Sequence, residues 1–182
     1  MPSTRPSLAA CLVLQGSTTS PALDADLRDL VDVVDEVVVY DTADHIAPGT
    51  AAFDATLHPA VTVVSGFWAE DRERAKRAAL AHVEADWALC VLPGEKVRAE
   101  TDELRRLLGE AGDVPAMAVR VDDVVRGTHR SARLLHKDSV LPGAVCRPAE
   151  GLVEVPSRLL TVEQPVTTTA SVPRQRGVFD RV

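Results

Sequence analysis

The sequence predicts an α/β domain, a mostly parallel sheet with helices on both faces, followed by a smaller strand-rich C-terminal part. Three observations carry that expectation. Continuous apolar runs, which suit strands buried on both faces, recur within residues 8–14, 36–40 and 86–92. Stretches with apolar residues at helical spacing separate them. After Pro115 the helical periodicity fades, and strand-like segments alternate with Gly and Pro. The 182 residues, 46% hydrophobic, suffice for one domain with a proper core. Residues 1–164 are expected to form that single domain, and residues 165–182, rich in Pro, Thr, Arg and Val, an extended or disordered tail.

The first strand, 8–14, is bounded by Pro6 and Gly16. Ser20-Pro21 then supplies an N-cap and first-turn pair, and Leu23, Leu27, Leu30, Val31 and Val34 form a helical stripe. The second strand, 36–40, ends in a polar loop, Asp41-Thr42-Ala43-Asp44-His45. Residues 48–57 suit a short helix, and residues 61–64 a third strand with Pro59 at its entrance. The strongest helix spans 69–84: Ala75, Ala78, Ala79, His82 and Val83 share a face, with Glu70, Asp71 and Glu73 near the positive end of the dipole. The fourth strand, 86–92, stops at Pro93-Gly94-Glu95. Thr101 is expected to N-cap a further helix with the stripe Leu104, Leu107, Leu108 and Ala111, stopped by Gly112. Residues 116–125, 131–136 and 152–160 read as strands.

Composition removes several function classes. A net charge of −7 with no Lys/Arg-rich block repels nucleic acid and anionic membrane. Aromatics at 3% leave no stacking platform for single strands. Cys11, Cys90 and Cys146, odd in number and far apart, read as buried reduced thiols. The N-terminal apolar run is too brief for a signal peptide core and nothing approaches a membrane span, so a cytoplasmic location is expected. The chain has no GxGxxG, GxxxxGK[ST], GxSxG, CxxC or HExxH pattern. Rossmann dinucleotide chemistry, P-loop hydrolysis, acyl transfer and zinc catalysis thus lack their usual signatures.

Candidate chemistry gathers where strand ends and helix N-termini converge in an alternating α/β chain, beyond the C-terminal ends of the strands. Residues 92–96, beyond the fourth strand, are the first place to look. Glu95 there is either a general base or metal ligand, or a turn residue. Asp41 and Asp44 are placed either to accept hydrogen bonds from a base or ribose or to cap their own loop. Arg72, Arg74, Lys76 and Arg77 offer cations to a diphosphate, though a charged helix run is ordinarily a solvated face; Lys76 is the exception to test. His136, ending a strand beside Lys137 and Asp138, is either an acid-base group or a packed side chain.

The segments SLAACLVL, VDEVVVYDT and GFWAEDRERAKRAALAHVEADWALCVLPGEKV, in that order, resemble the nucleotide-binding half of family 2 inverting glycosyltransferases of the GT-A fold. The similarity is to a subgroup with Lys-Asn-Glu after the first strand, Val-Asp-Thr-Gly-Ser at the second, and a centre reading Trp, a short acidic stretch, Ala-Arg-Asn, then Gly-Asp-Trp leading to Leu-Asp-Ala-Asp-Glu. The later segment RSARLLHKDSVLPGAVCRPAE resembles the family's Arg-Leu-Phe strand and its following Gly-x-Val-His-Glu. The resemblance covers roughly residues 7 to 160. It implies a GT-A-like, Rossmann-like domain with a nucleotide-binding half at 7–112 and a strand-rich acceptor-side half at 113–164.

The resemblance further implies that Asp41 holds the base of a nucleotide-sugar, that Trp68 is the aromatic of the central turn, that Lys76 stands for the family's Arg near the phosphates, and that Asp86-Trp87 opens the metal-site strand. Where the family has Asp-Ala-Asp, this chain has Leu92-Pro93-Gly94, leaving Glu95 in step; Lys-Asn-Glu becomes Gln15-Gly16-Ser17, Ala-Arg-Asn becomes Ala75-Lys76-Arg77, and the His-Glu pair becomes Cys146-Arg147. A departing nucleoside diphosphate needs a metal or cationic clamp, and Leu, Pro and Gly supply neither. The implied activity is transfer from a UDP-sugar type donor, metal-independent or weak, with Asp41 and Asp44 at the nucleotide, Lys76 or Arg77 at the diphosphate, and Glu95 and His136 as catalytic candidates. The alternative is a catalytically inactive relative serving as a binding or assembly module. No cofactor is expected, Mg²⁺ or Mn²⁺ entering only if carboxylates outside the usual motif substitute. Homo-oligomerisation or a partner protein completing the cleft is also expected.

Overall fold

The computed structural model describes residues 5–14, 20–42, 58–66, 72–139 and 152–164. Among them the elements run β1 (Leu8–Leu14), α1 (Ser20–Val31), β2 (Glu36–Asp41), β3 (Val61–Ser65), α2 (Arg72–Leu80), β4 (Trp87–Val91), β5 (Lys96–Ala99), α3 (Thr101–Glu110), β6 (Ala116–Asp123), β7 (Gly127–His136), β8 (Val153–Glu154) and β9 (Leu160–Gln164). The expected helix at 48–57, the loop residues Asp44 and His45, Trp68, the acidic start of the central helix, Cys146-Arg147 and the tail at 165–182 lie outside the described residues.

The strands form one curled sheet in the order β3-β2-β1-β4-β7-β6-β9-β5, with β8 beside β6. The pairs β1–β2, β1–β4, β2–β3, β6–β8 and β6–β9 are parallel; β4–β7, β6–β7 and β5–β9 are antiparallel. The sheet is therefore mixed. Parallel pairing prevails where crossovers connect the strands, and the mixed character enters at β7, which returns by a three-residue turn from β6 and then lies antiparallel against β4.

Alternate residues of β1 divide the core, as strand geometry requires. Leu8, Ala10, Leu12 and Leu14 join α1 residues Leu23, Leu27 and Leu30 and α3 residues Leu104 and Leu108. Cys11 and Val13 point to the other face, against Ala75, Ala79 and Leu80 of α2. The small side chains of α2 let that helix lie close to the sheet.

Several boundaries differ from the sequence expectation. α2 ends at Leu80, so His82 lies beyond the helix and is exposed instead of sharing its apolar face. Thr101 is the first helical residue of α3; Glu100 occupies the N-cap position without a side-chain cap bond. Gly112 at φ +58° does follow the helix as a left-handed stop. The strand expected at 152–160 is split into β8 and β9, because the chain turns at Pro156 and Leu159 donates back to the Pro156 carbonyl at 2.8 Å.

The N-terminal ends of the strands are fastened by polar side chains. Asp86 Oδ2 accepts from the Ser7 amide and from the Ser7 hydroxyl, both at 2.8 Å, and Ser7 Oγ accepts from the Asp86 amide at 2.9 Å. Arg105 of α3, buried, donates to the Pro6 carbonyl and both oxygens of Asp35. The Ser7 bonds, first the amide's, hold the Asp86 carboxyl below its ordinary value, with Lys137 and His136 assisting. A depressed carboxyl binds fewer protons folded than unfolded, so its stabilisation is complete above the unfolded value of about 4 and is lost as pH falls through the folded value. Asp86→Asn is expected to flatten the loss of stability on acidification, measured as urea midpoints across that range; parallel profiles for the two proteins would refute the linkage.

Candidate functional site

The C-terminal ends of β1, β2 and β4 converge on one side of the sheet, where Asp41 closes β2 in register with Leu14 and Ser65. Asp41 is fully buried, and its carbonyl accepts from the Gly66 amide at 2.8 Å. Gly66 is required there: a Cβ on it would lie 2.0 Å from the Tyr40 ring. Thr42 Oγ1 donates to the Leu14 carbonyl at 2.7 Å, tying the two strand ends together.

Beyond β4, residues 92–95 make a tight turn in which the Glu95 amide donates to the Leu92 carbonyl at 3.0 Å. Gly94 supplies the left-handed φ of +85°. Its amide donates to Asp26 Oδ2 of α1 at 2.7 Å, and Lys96 Nζ reaches Asp26 Oδ1 at 3.3 Å. The turn is thus clipped to α1 on its outer side.

On its inner side Glu95 folds back under the turn. Its side chain is 1% exposed and meets the 7% exposed guanidinium of Arg133 on β7. The contact is bidentate: one terminal nitrogen donates to Oε1 at 2.9 Å, the other to Oε2 at 3.2 Å and to the Cys90 carbonyl at 3.1 Å. Glu95 Oε2 also accepts from the Leu92 amide at 2.7 Å. Burial pushes the Glu95 carboxyl above its ordinary value, while Arg133, the Leu92 amide and Lys76 pull against that rise.

Lys76 of α2 is buried beside this pair, with Nζ 3.3 Å from Glu73 Oε1. The solvated-face reading therefore fails for Lys76, whereas Arg77 is exposed. The structure brings Lys76 and Glu95 together and adds Arg133, which is not among the sequence candidates. Its signal was present, since Arg133-Leu134-Leu135 stands at the position of the family's Arg-Leu-Phe strand. His136 is not brought to this place. It pairs with Trp87 at the opening end of β4, roughly 16 Å of strand from the turn at about 3.3 Å per residue. Its ring stands edge-on to Trp87, centroids 5.0 Å apart at 83°. Asp44 and Trp68 lie outside the described residues.

The donors at the turn do not fit a divalent cation. Leu92, Pro93 and Gly94 carry no side-chain oxygen, and both oxygens of Glu95 already accept from Arg133 and Leu92. Among the described residues no group of three or more His, Cys, Asp or Glu side chains converges.

The four adjoining parallel strands β3, β2, β1 and β4, the site at their C-terminal ends and the antiparallel return through β7 make a GT-A-like fold. Solved structures agree. The mannosyltransferase PcManGT of Pyrobaculum calidifontis, in complex with GDP-Man and Mn²⁺, is similar with a TM-score of 0.62 at 16% identity, over 92% of this chain and 59% of its own. TarS 1-349 of S. aureus in complex with UDP gives 0.50 at 14% identity, over 65% and 36%. HddC of Yersinia pseudotuberculosis gives 0.50 at 12%, over 87% and 90%. At these identities the likeness is one of fold, and the chain spans about three fifths of the mannosyltransferase and about a third of the TarS fragment. No protein-family model matches the chain, and no curated protein matches it by sequence. No helix among the described residues is long and apolar enough to cross a membrane.

Proposed function

We propose that this chain binds a nucleotide-sugar, in the manner of family 2 enzymes, and transfers the sugar without a divalent metal. The observation that carries the reading is the replacement at the turn after β4: a buried Glu95–Arg133 pair with Lys76 alongside stands where metal-binding acids are expected in this fold. Buried cations stabilise charge developing on a leaving diphosphate more strongly than exposed ones, because the surroundings screen them less. In this reading the base lies over the end of β2, where Asp41 is buried, Lys76 or Arg77 serves the diphosphate, and Glu95 holds Arg133 in place. Residues 1–164 act as one domain.

A second reading, a binding or assembly module that has kept the fold, is favoured by the same carboxylate, whose two oxygens are committed to Arg133 and the Leu92 amide and so offer no base. Calorimetry with UDP, GDP and their sugars separates the two. Binding that is equal in Mn²⁺ and in EDTA is the expected result. A strong gain with Mn²⁺ would sink the metal-independent reading, and no binding of any nucleotide would leave the module.

A further inference from the structure

A narrow void lies beneath the turn, among residues of β1, β4, β7 and α2, lined among the described residues by Cys11, Val13, Lys76, Cys90, Val91, Leu92 and Arg133. Its free volume of about 10 Å³ is the least that one water-sized occupant needs. Two of its walls are cations withdrawn from solvent, their side chains 9% exposed at Lys76 and 7% at Arg133. Arg133 commits both terminal nitrogens to Glu95 and the Cys90 carbonyl, yet its buried Nε–H has no partner among the described residues. An ammonium carries three donors, and among the described residues Lys76 has a single side-chain acceptor, Glu73, at 3.3 Å.

Among the described residues the lining side chains offer donors and apolar surface, with no carboxylate, amide or hydroxyl oxygen. A water in such a place meets strong donors but finds only the weakly accepting thiols of Cys11 and Cys90 for its own hydrogens, whereas an anionic atom accepts from both cations. The Glu95 carboxylate steadies the guanidinium through its two terminal nitrogens and takes nothing from Nε–H.

We infer that this void is a subsite for one anionic atom, held by Arg133 Nε–H and the Lys76 ammonium: a halide ion, or a single phosphoryl oxygen of a bound diphosphate. Glu95 is a positioning residue for Arg133. The diphosphate source rests on the nucleotide-sugar reading; the halide source is independent of it.

The test is thermal unfolding of the whole chain at constant ionic strength in sodium gluconate, sodium chloride, and gluconate with inorganic pyrophosphate and EDTA. Occupancy of a native-state site at several times its dissociation constant raises the melting temperature by about 2–4 °C for a chain of this size. A rise in chloride that disappears in Lys76→Met, which keeps the length of the stem, establishes the halide. A rise with pyrophosphate that is lost in Lys76→Met and diminished by chloride establishes the phosphoryl oxygen. If Lys76→Met fails to fold, Arg133→Lys, which removes Nε–H and keeps the charge, takes its place. Equal melting in all three media, or a rise undiminished in the folded variant, overturns the subsite. If chloride or pyrophosphate acts through Lys76 while no nucleotide binds by calorimetry, the subsite stands and only the nucleotide-sugar reading falls.

Discussion

Arg133→Met is expected to cost the fold about 3–5 kcal/mol, because it strands the Glu95 carboxylate in the interior without its counter-charge. The side chains of the pair are 1% and 7% exposed, so water cannot take over as partner. Urea unfolding measures the loss directly, and a cost below about 1 kcal/mol would mean that Glu95 had found another donor or had simply protonated at little expense. The double variant Glu95→Met with Arg133→Met sharpens the result. Removing both charges of a buried pair is commonly near neutral, so the double variant should recover much of the loss. It should fall short by the bond from the Leu92 amide, which loses its acceptor at 2.7 Å.

Trp87→Ala is expected to be as severe, about 3–5 kcal/mol, through the cavity it leaves. Trp87 is 2% exposed in the larger core cluster and begins the central strand β4, whose amide donates to the Ser7 carbonyl at 3.1 Å. The edge-on contact of His136 with its ring adds about 0.5–1.5 kcal/mol that is lost from either side. Parallel measurement on His136→Ala assigns that histidine. A loss of about 1 kcal/mol with nucleotide binding intact fits a packing partner. Abolished transfer with unchanged stability would return His136 to the chemistry despite its place at the opposite end of β4.

Much of the scaffold was legible because burial on both faces leaves a plain mark. β1, β2 and β4 are near-continuous apolar runs, and each lies where its run predicted. α3 was legible from a stripe whose Leu104 and Leu108 are buried. β5 was not, since Lys96, Arg98 and a single Val97 look like loop; it is an edge strand whose pairing partner β9 lies more than sixty residues on. The site was legible by position and not by content. The alternation of strand and helix points to the turn after β4, and Lys76 stands out from its charged neighbours. Arg133 was hidden by its own chemistry, for an arginine in a strand ordinarily faces water, and the acid that pays its burial cost is 38 residues away. His136 is a candidate because it ends a strand near the presumed cleft, but β7 runs antiparallel to β4, so its end falls beside the start of β4.

The turn at 92–95 has a mechanical consequence. Its amides at Leu92, Gly94 and Glu95 are held by Glu95, by Asp26 and by the Leu92 carbonyl in turn. Lys96, the next residue, is already the first of an edge strand and is braced to α1. The segment therefore behaves as a keystone between the sheet's centre and its rim, and it cannot swing as a lid. Any travel that admits or releases a ligand has to be made by other parts of the chain, against a floor that stays still.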